Sequence, residues 1–238
     1  MNNRISYSLF NRFPEISCLT IWNQPASATI EETGQTAFLN TLLDHPADAI
    51  SGEGWVLAKQ VHGKDIRDCR NPGTYDSCDG LMTTQKKLPL IIRTADCAAV
   101  MIYHARSKRI ANLHVGWRGA RAGIISAAVR KMLGEEEQSN ASDLWVAVAP
   151  MIRPCCYQVG EEFYSYFEES HLQQREDRVY LDLPQVIAQQ LGGHGILVEQ
   201  VQFSEECTFC SPLNLPSFRR DRTQNRIYNM IERRENVR

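Results

Sequence analysis

Residues 88–105 read LPLIIRTADCAAVMIYHA, two apolar runs joined by the four residues Thr94–Cys97. Each run has the length and β-branched content of a buried strand. The run Ala98–Tyr103 is far shorter than the roughly 20 residues that span a bilayer. Any fold for this chain must therefore bury two strands and place Asp96 and Cys97 at the corner between them. Further segments extend the pattern: strands over Ser17–Asn23, Trp55–Gly63, Asp79–Thr84, Arg109–Trp117, Leu144–Pro150, Val198–Ser204 and Asn225–Glu232. Helices are expected over Thr36–Asp44, Gly119–Gly134, Gly160–Ser170 and Leu183–Gly193. In the second of these Ile125, Val129 and Met132 recur at i, i+4, i+7, and Gly134 closes it. Pro184 and Gly192–Gly193 punctuate the last.

Strands and helices follow one another without strict β-α-β alternation. This order predicts mixed β-sheets with helices packed on them, an α/β or α+β fold in layers. No Pro/Gly/Ser linker divides the chain, so one domain is expected over residues 1–238. A hydrophobic fraction of 43% and a charged fraction of 23% are those of a globular protein with a sizeable core. The net charge of −2 is spread along the chain and points to no duplex-binding face, which would need clustered Lys and Arg. The one basic cluster, from Arg219 to Arg238, reads as solvated surface. The first residues lack an apolar signal core, and no segment suits a membrane span, so a cytoplasmic protein without nucleic-acid or membrane partners is expected. The eight cysteines are then reduced, and an unusual one is better read as a ligand or nucleophile than as half a disulfide.

Of six histidines, His45, His171 and His194 read as surface, and His104 ends an apolar strand. His62 and His114 each stand at the end of an expected strand, just before a glycine-containing turn. Cys97 stands at a strand corner. Functional groups collect at such ends, where a rigid scaffold holds a loop. Three readings use the same residues. His62, Cys97 and His114 form a shared zinc site with an open fourth position; Cys97 and His114 form a nucleophile–base pair; or the three are unrelated buried side chains.

Other features carry weaker expectations. Cys207 and Cys210 form a CxxC with no second pair at zinc-finger spacing, and Cys155–Cys156 read as packing. In HVGWRG, Gly116 and Gly119 flank Trp117 and Arg118 before a helix, which suits either an anion site or a tight turn. Ser217–Asp221, SFRRD, places two arginines beside an aromatic ring.

Read together, KQVHGKDI, CDGLMTT, RTADCAAVMIY, IANLHVGWRGARAGI, VAPMIRPCCYQVGEEF, YLDL and CT…SFRRD resemble the YfiH-like family, also called the laccase-domain or polyphenol oxidase family. They run in the family's order from about residue 55 to residue 221. The resemblance implies a layered α/β/α fold and a zinc site on His62, Cys97 and His114. It implies purine nucleoside chemistry: phosphorolysis of adenosine, inosine or methylthioadenosine, and deamination of adenosine. Substrate and phosphate would then meet Arg12, Gln60, Arg118, Phe218, Arg219 or Arg220. It also keeps open amide hydrolysis on a UDP-muramoyl–amino acid, by a Cys97–His114 pair or by the zinc site. A multicopper oxidase needs more histidine than six residues with no His-x-His pair provide. The chain departs from the family at two places. Pro14 and Glu15 replace glycines near Arg12, where an added carboxylate would disfavour phosphate, and DRTQNR after Arg220 also lacks glycine.

Overall fold

Seven residues, Ala98 to His104, form a strand in which every side chain is buried. Side chains alternate across a strand, so burial of both sets requires cover on both faces of its sheet. In the computed structural model, which describes residues 3–22, 54–134 and 140–235, that cover is a second sheet on one side and helices on the other.

The first sheet runs β1 (Arg4–Ser6), β2 (Ile16–Ile21), β15 (Ile227–Arg233), β7 (Leu90–Thr94), β3 (Val56–Ala58), β5 (Gly73–Tyr75). The second runs β14 (Val201–Phe203), β10 (Leu144–Val148), β8 (Ala98–His104), β9 (Arg109–Val115), β6 (Gly80–Thr83), β4 (Ile66–Asp68). Both are mixed: β7–β3–β5, β10–β14 and β4–β6 pair parallel, the remaining neighbours antiparallel. A small antiparallel sheet joins β11 (Gln158–Val159), β13 (Arg178–Leu181) and β12 (Leu172–Arg175). The helices are α1 (Trp117–Ala122), α2 (Ile124–Leu133), α3 (Leu183–Gly192) and the short α4 (Phe218–Asp221). This is the α+β arrangement of mixed sheets and packed helices expected from the sequence.

The two apolar runs do not make a hairpin. β7 belongs to the first sheet and β8 to the second, so Thr94–Cys97 crosses between sheets. Ala99, Met101 and Tyr103 pack towards Val56, Leu90 and Ile92 of the first sheet. Ala98, Val100 and Ile102 face Ile125, Val129 and Val186 of the helices. Each fully buried Val, Ile or Leu in these layers is worth about 1.5–3 kcal/mol relative to exposure. Asn112 ties the sheets directly, donating from Nδ2 to the carbonyls of Leu90 and Asn229, both at 2.9 Å.

Three expected elements differ. The helix predicted over Gly119–Gly134 is two helices, because Gly123 takes a left-handed φ of 81° between α1 and α2. Over Gly160–Ser170 there is no α-helix: a five-residue 3-10 turn, Glu161–Ser165, lets Phe163 pack on Tyr166 and Phe167, and Phe163 and Tyr166 on Trp117. The strand predicted over Trp55–Gly63 stops at Ala58, and the rest turns towards the strand ends described below. The helix expected over Thr36–Asp44, and His45, lie outside the described residues. No described helix is long and apolar enough to cross a membrane.

Candidate metal centre

β6, β8 and β9 lie side by side, with Ala98 opposite Val115 and Gly80 opposite Leu113. One end of the second sheet therefore gathers Asp79 just before β6, Cys97 just before β8, and His114 near the end of β9. The fourth contributor, His62, arrives on the loop that leaves β3 of the first sheet. One donor atom each from His62, Cys97 and His114 lie within 4.8 Å of one another. The two imidazoles meet edge to face, with centroids 4.8 Å apart.

Asp79 organises the group. It is fully buried, and its carboxylate accepts from the backbone amides of Val61 at 3.1 Å, His62 at 2.8 Å and Gly63 at 2.7 Å. Oδ1 also accepts from Nδ1 of His114 at 2.7 Å. One carboxylate thus holds the loop, including His62 at an unusual φ of 62°, and fixes the ring of His114. With Nδ1 engaged, Nε2 of His114 is the nitrogen left for Cys97 or a metal, the carboxylate–histidine arrangement common behind ligating imidazoles. Burial raises the Asp79 pKa, but His114 and the amides outweigh it and hold the carboxylate ionised.

The same balance acts on Cys97. Burial pushes its thiol up, yet the charge and hydrogen bonds of His114 and His62 bring it down to about 6. Burial pulls His114 down, but Cys97 and Asp79 raise it to about 9. Without a metal these two groups are a thiolate–imidazolium pair near neutrality.

Glycine 116 shows how closely the chain wraps the sulfur. Its φ of −88° suits any residue, but a Cβ there would lie 2.7 Å from Cys97 Sγ. A Cβ on Gly119 would meet the Gly63 carbonyl at 3.1 Å. The glycines of GWRG thus serve close approach. The TADC corner is fixed by Asp96, at a φ of 89°. Its Oδ1 accepts from Thr208 and Ser217 hydroxyls, both at 2.7 Å, and Oδ2 from the Arg219 amide at 2.7 Å.

Beside this corner lies a cleft of about 470 Å³ lined by Trp117, Tyr157, Gln158, Glu162, Phe163 and Arg219, among others. Tyr157 links it to the centre: burial, and then the nearby charge of Cys97, raise the pKa of its hydroxyl. Arg219 stacks over Tyr157 at 5.1 Å and donates to the Gln158 carbonyl. Arg118 lies 4.4 Å over Trp117, and Phe218 is 43% exposed.

Four sequence-based expectations are corrected. Arg220 is not available to a ligand: its guanidinium donates to the carbonyls of Thr208, Phe209 and Leu215 and to Asp221. Arg12 stacks on Trp145 at 4.1 Å. Trp145 pairs with Tyr103, which lies six residues from Cys97, about 20 Å along the strand. Glu15 is at that far end too, bound to the Tyr103 hydroxyl at 2.7 Å and Lys108 at 3.0 Å, so it adds no charge near the centre. His171 is not a surface residue; it is buried and bonded to Gln189. The side-chain amide of Gln60 donates from Nε2 to the Arg93 carbonyl at 2.8 Å and accepts at Oε1 from the Arg93 amide at 3.1 Å, and so fixes the His62 loop to β7. Sequence reasoning assigned no part to Asp79, Asp96 or Tyr157, although each lies inside a quoted motif.

The donor set fits a zinc-class ion: two imidazoles and a thiolate, a carboxylate behind one imidazole, and an exposed His62 leaving a side open. The chain matches, over residues 40–234, the family model described as multi-copper polyphenol oxidoreductase laccase. It is 33% identical over 153 residues to the purine nucleoside phosphorylase of Aquifex aeolicus, covering 64% of this chain and 69% of the relative. It is 33% identical over 202 residues to purine nucleoside phosphorylase YlmD of Geobacillus stearothermophilus, covering 77% and 73%. The crystal structure of YlmD from that organism superposes with a TM-score of 0.81 at 27% identity, over 96% of this chain and 94% of the other. The hypothetical protein YfiH of Bacillus licheniformis shares the fold, with a TM-score of 0.81 at 22% identity over 98% and 97% of the two chains.

Proposed function

The chain belongs to the YfiH-like family, whose model is described as multi-copper polyphenol oxidoreductase laccase, and from that premise we propose that it is a zinc-dependent purine nucleoside phosphorylase. Its substrates are adenosine, inosine or methylthioadenosine with inorganic phosphate; its products are the base and (methylthio)ribose 1-phosphate. Deamination of adenosine is the accompanying activity. The observation that carries the reading is the convergence of His62, Cys97 and His114, backed by Asp79, beside a cleft that presents Arg219. The names of the relatives supply the substrate class.

In this reading His62, Cys97 and His114 hold the metal, which when bound supplies Lewis acidity and, for deamination, an activated water. Asp79 keeps Nε2 of His114 facing the ligand and holds His62 in place. Arg219, with Arg118, provides positive charge for phosphate; phosphorolysis develops an oxocarbenium-like ribose, and a fixed phosphate beside C1′ captures it. The exposed ring of Phe218 offers the base a stacking surface. The deamination proton shuttle is not Asp79, whose oxygens already accept four hydrogen bonds. A copper oxidase is disfavoured by ligand count: no other described histidine joins the centre, and His104 is buried in its own turn, accepting from the Ser107 amide.

The test is base release by zinc-loaded protein from each nucleoside, with and without phosphate, followed by chromatography. Phosphate-dependent release supports the reading, and none with any of the three nucleosides overturns it. One observation favours a second reading. Asp79, His114 and Cys97 form a carboxylate–imidazole–thiolate series, the arrangement of a thiol hydrolase. Amine release from a UDP-muramoyl–amino acid, independent of phosphate, distinguishes it.

A further inference from the structure

Cys155, Cys156, Cys207 and Cys210 all place their sulfurs within 4.8 Å of one another, although about fifty residues separate the two pairs. The sequence gives CxxC without a second half, and the fold supplies it. Met151 bridges to Cys207, the Thr208 amide donates to the Met151 carbonyl at 3.1 Å, and each cysteine pair sits in a tight turn. The sulfurs of Cys155 and Cys210 are 3.7 Å apart. That is far from the roughly 2.05 Å of a disulfide. It is close to the about 3.8 Å that separates two sulfurs on a tetrahedral zinc with bonds near 2.3 Å.

The surroundings suit a cluster of negative charge. Backbone amides of Arg153, Cys210 and Phe209 hydrogen-bond to the Cys207 sulfur. Arg220 donates to the Phe209 carbonyl at 2.8 Å, and Arg175 to the Pro154 carbonyl, so cations flank both turns. A divalent ion held by the four sulfurs would release their thiol protons to solvent on binding.

We propose that these four cysteines form a second metal centre, a closed tetrathiolate site holding one zinc ion. Its role is structural. The 207–210 turn carries Thr208, which donates to Asp96 at the TADC corner, and the 155–156 turn leads into Tyr157 and Gln158 of the cleft wall. The ion staples together two segments that border the catalytic cleft without touching substrate. The proposal stands independently of the activity assigned to the first centre.

The experiment measures zinc per chain, by elemental mass spectrometry, in protein purified under reducing conditions. Wild type, Cys97→Ala and the double variant Cys155→Ser/Cys210→Ser are compared. The proposal expects two ions in wild type and one in each variant. The ion left in Cys97→Ala should show only sulfur neighbours, at about 2.3 Å, by X-ray absorption. If the first centre binds no zinc, wild type and Cys97→Ala both carry one ion with that all-sulfur shell, so the two assignments fail separately. Should the double variant not fold, the wild-type count and the Cys97→Ala shell still decide. Zinc-free Cys97→Ala protein, nitrogen in the shell of its ion, or a Cys155–Cys210 disulfide in the purified chain overturns the site. Chelation should lower the Tm of Cys97→Ala; loss of the ion with no change in Tm overturns the stapling role.

Discussion

The molecule gathers sulfur at two places, and the two are built on opposite plans. Around Cys97 one thiolate joins two imidazoles, and one of these, His62, is open to solvent. Around Cys207 four sulfurs close on one another with no other ligand. An open mixed site leaves room for a substrate, whereas a full set of thiolates leaves none. The supports differ as well. The first centre hangs from strand ends and a buried carboxylate; the second hangs from two turns and backbone amides. On this contrast the proposed chemistry belongs to the strand ends of the second sheet, and the proposed staple to the turns beside them.

The strongest way to break this contrast is Cys97→Ala. It removes the only sulfur of the open centre, so phosphate-dependent base release should fall below detection while the closed centre keeps its ion. Activity retained in Cys97→Ala would move the chemistry elsewhere. Asp79→Asn should come next, with a loss of about 10–100-fold in metal affinity or activity. The amide can no longer accept every bond that now converges on the carboxylate, and His114 loses the partner on Nδ1. Competition with a chromophoric chelator measures the affinity, and an unchanged value would show that Asp79 serves only the backbone of residues 61–63. Gly116→Ala should be milder, about 10-fold, because its Cβ must displace Cys97 Sγ from 2.7 Å by some tenths of an ångström. Retention of full affinity by that variant would mean the sulfur has room to move.

A pH titration sharpens the contrast further. In metal-free protein the thiolate absorbance of wild type minus Cys97→Ala should rise with a midpoint near 6, not near the ordinary 9. A lowered thiol pKa stabilises the fold above its unfolded value, and that contribution is lost as pH falls through about 6. His114, raised to about 9, stabilises fully below its unfolded value near 6.5 and loses this as pH rises through about 9. The Tm advantage of metal-free wild type over Cys97→Ala should therefore be largest between about pH 6 and 9. A difference in Tm no larger inside this range than at about pH 5 or pH 10 would separate Cys97 from His114.

Much of the architecture was legible in the chain because strand burial leaves a strong periodic trace. β7, β8 and β9 stand where their apolar runs predict. The three donors of the open centre could be proposed because each precedes or follows such a run, and the motif resemblance selected them from the alternatives. Asp79 was not legible in the same way. Its importance lies in the three amides and one imidazole that reach it from residues 16 to 35 positions away, and sequence spacing does not encode that convergence. The closed cluster was hidden for the same reason, since its halves are brought together by the pairing of residue 151 with residue 207. Arg220 shows the converse: SFRRD offers two similar arginines, and only packing shows that one faces the cleft while the other ties down carbonyls.

The smallest effect is expected at the opposite end of β8, and it tests whether that end takes part at all. Arg12, exposed, stacks on Trp145, and Glu15 is bound by Tyr103 and Lys108. Burial raises the Glu15 pKa, but these partners and its own backbone bring it to about 2, so it stays ionised and occupied at neutral pH. Arg12→Ala then removes an exposed cation–π contact, worth about 0.5–1 kcal/mol, and nothing that touches the cleft. The KM for phosphate should not change, and urea unfolding should register only that small loss. Arg219→Ala, by contrast, should raise the phosphate KM. A rise in both variants would mean that the far end of β8 reaches the substrate after all, and that the two ends of this strand are one site.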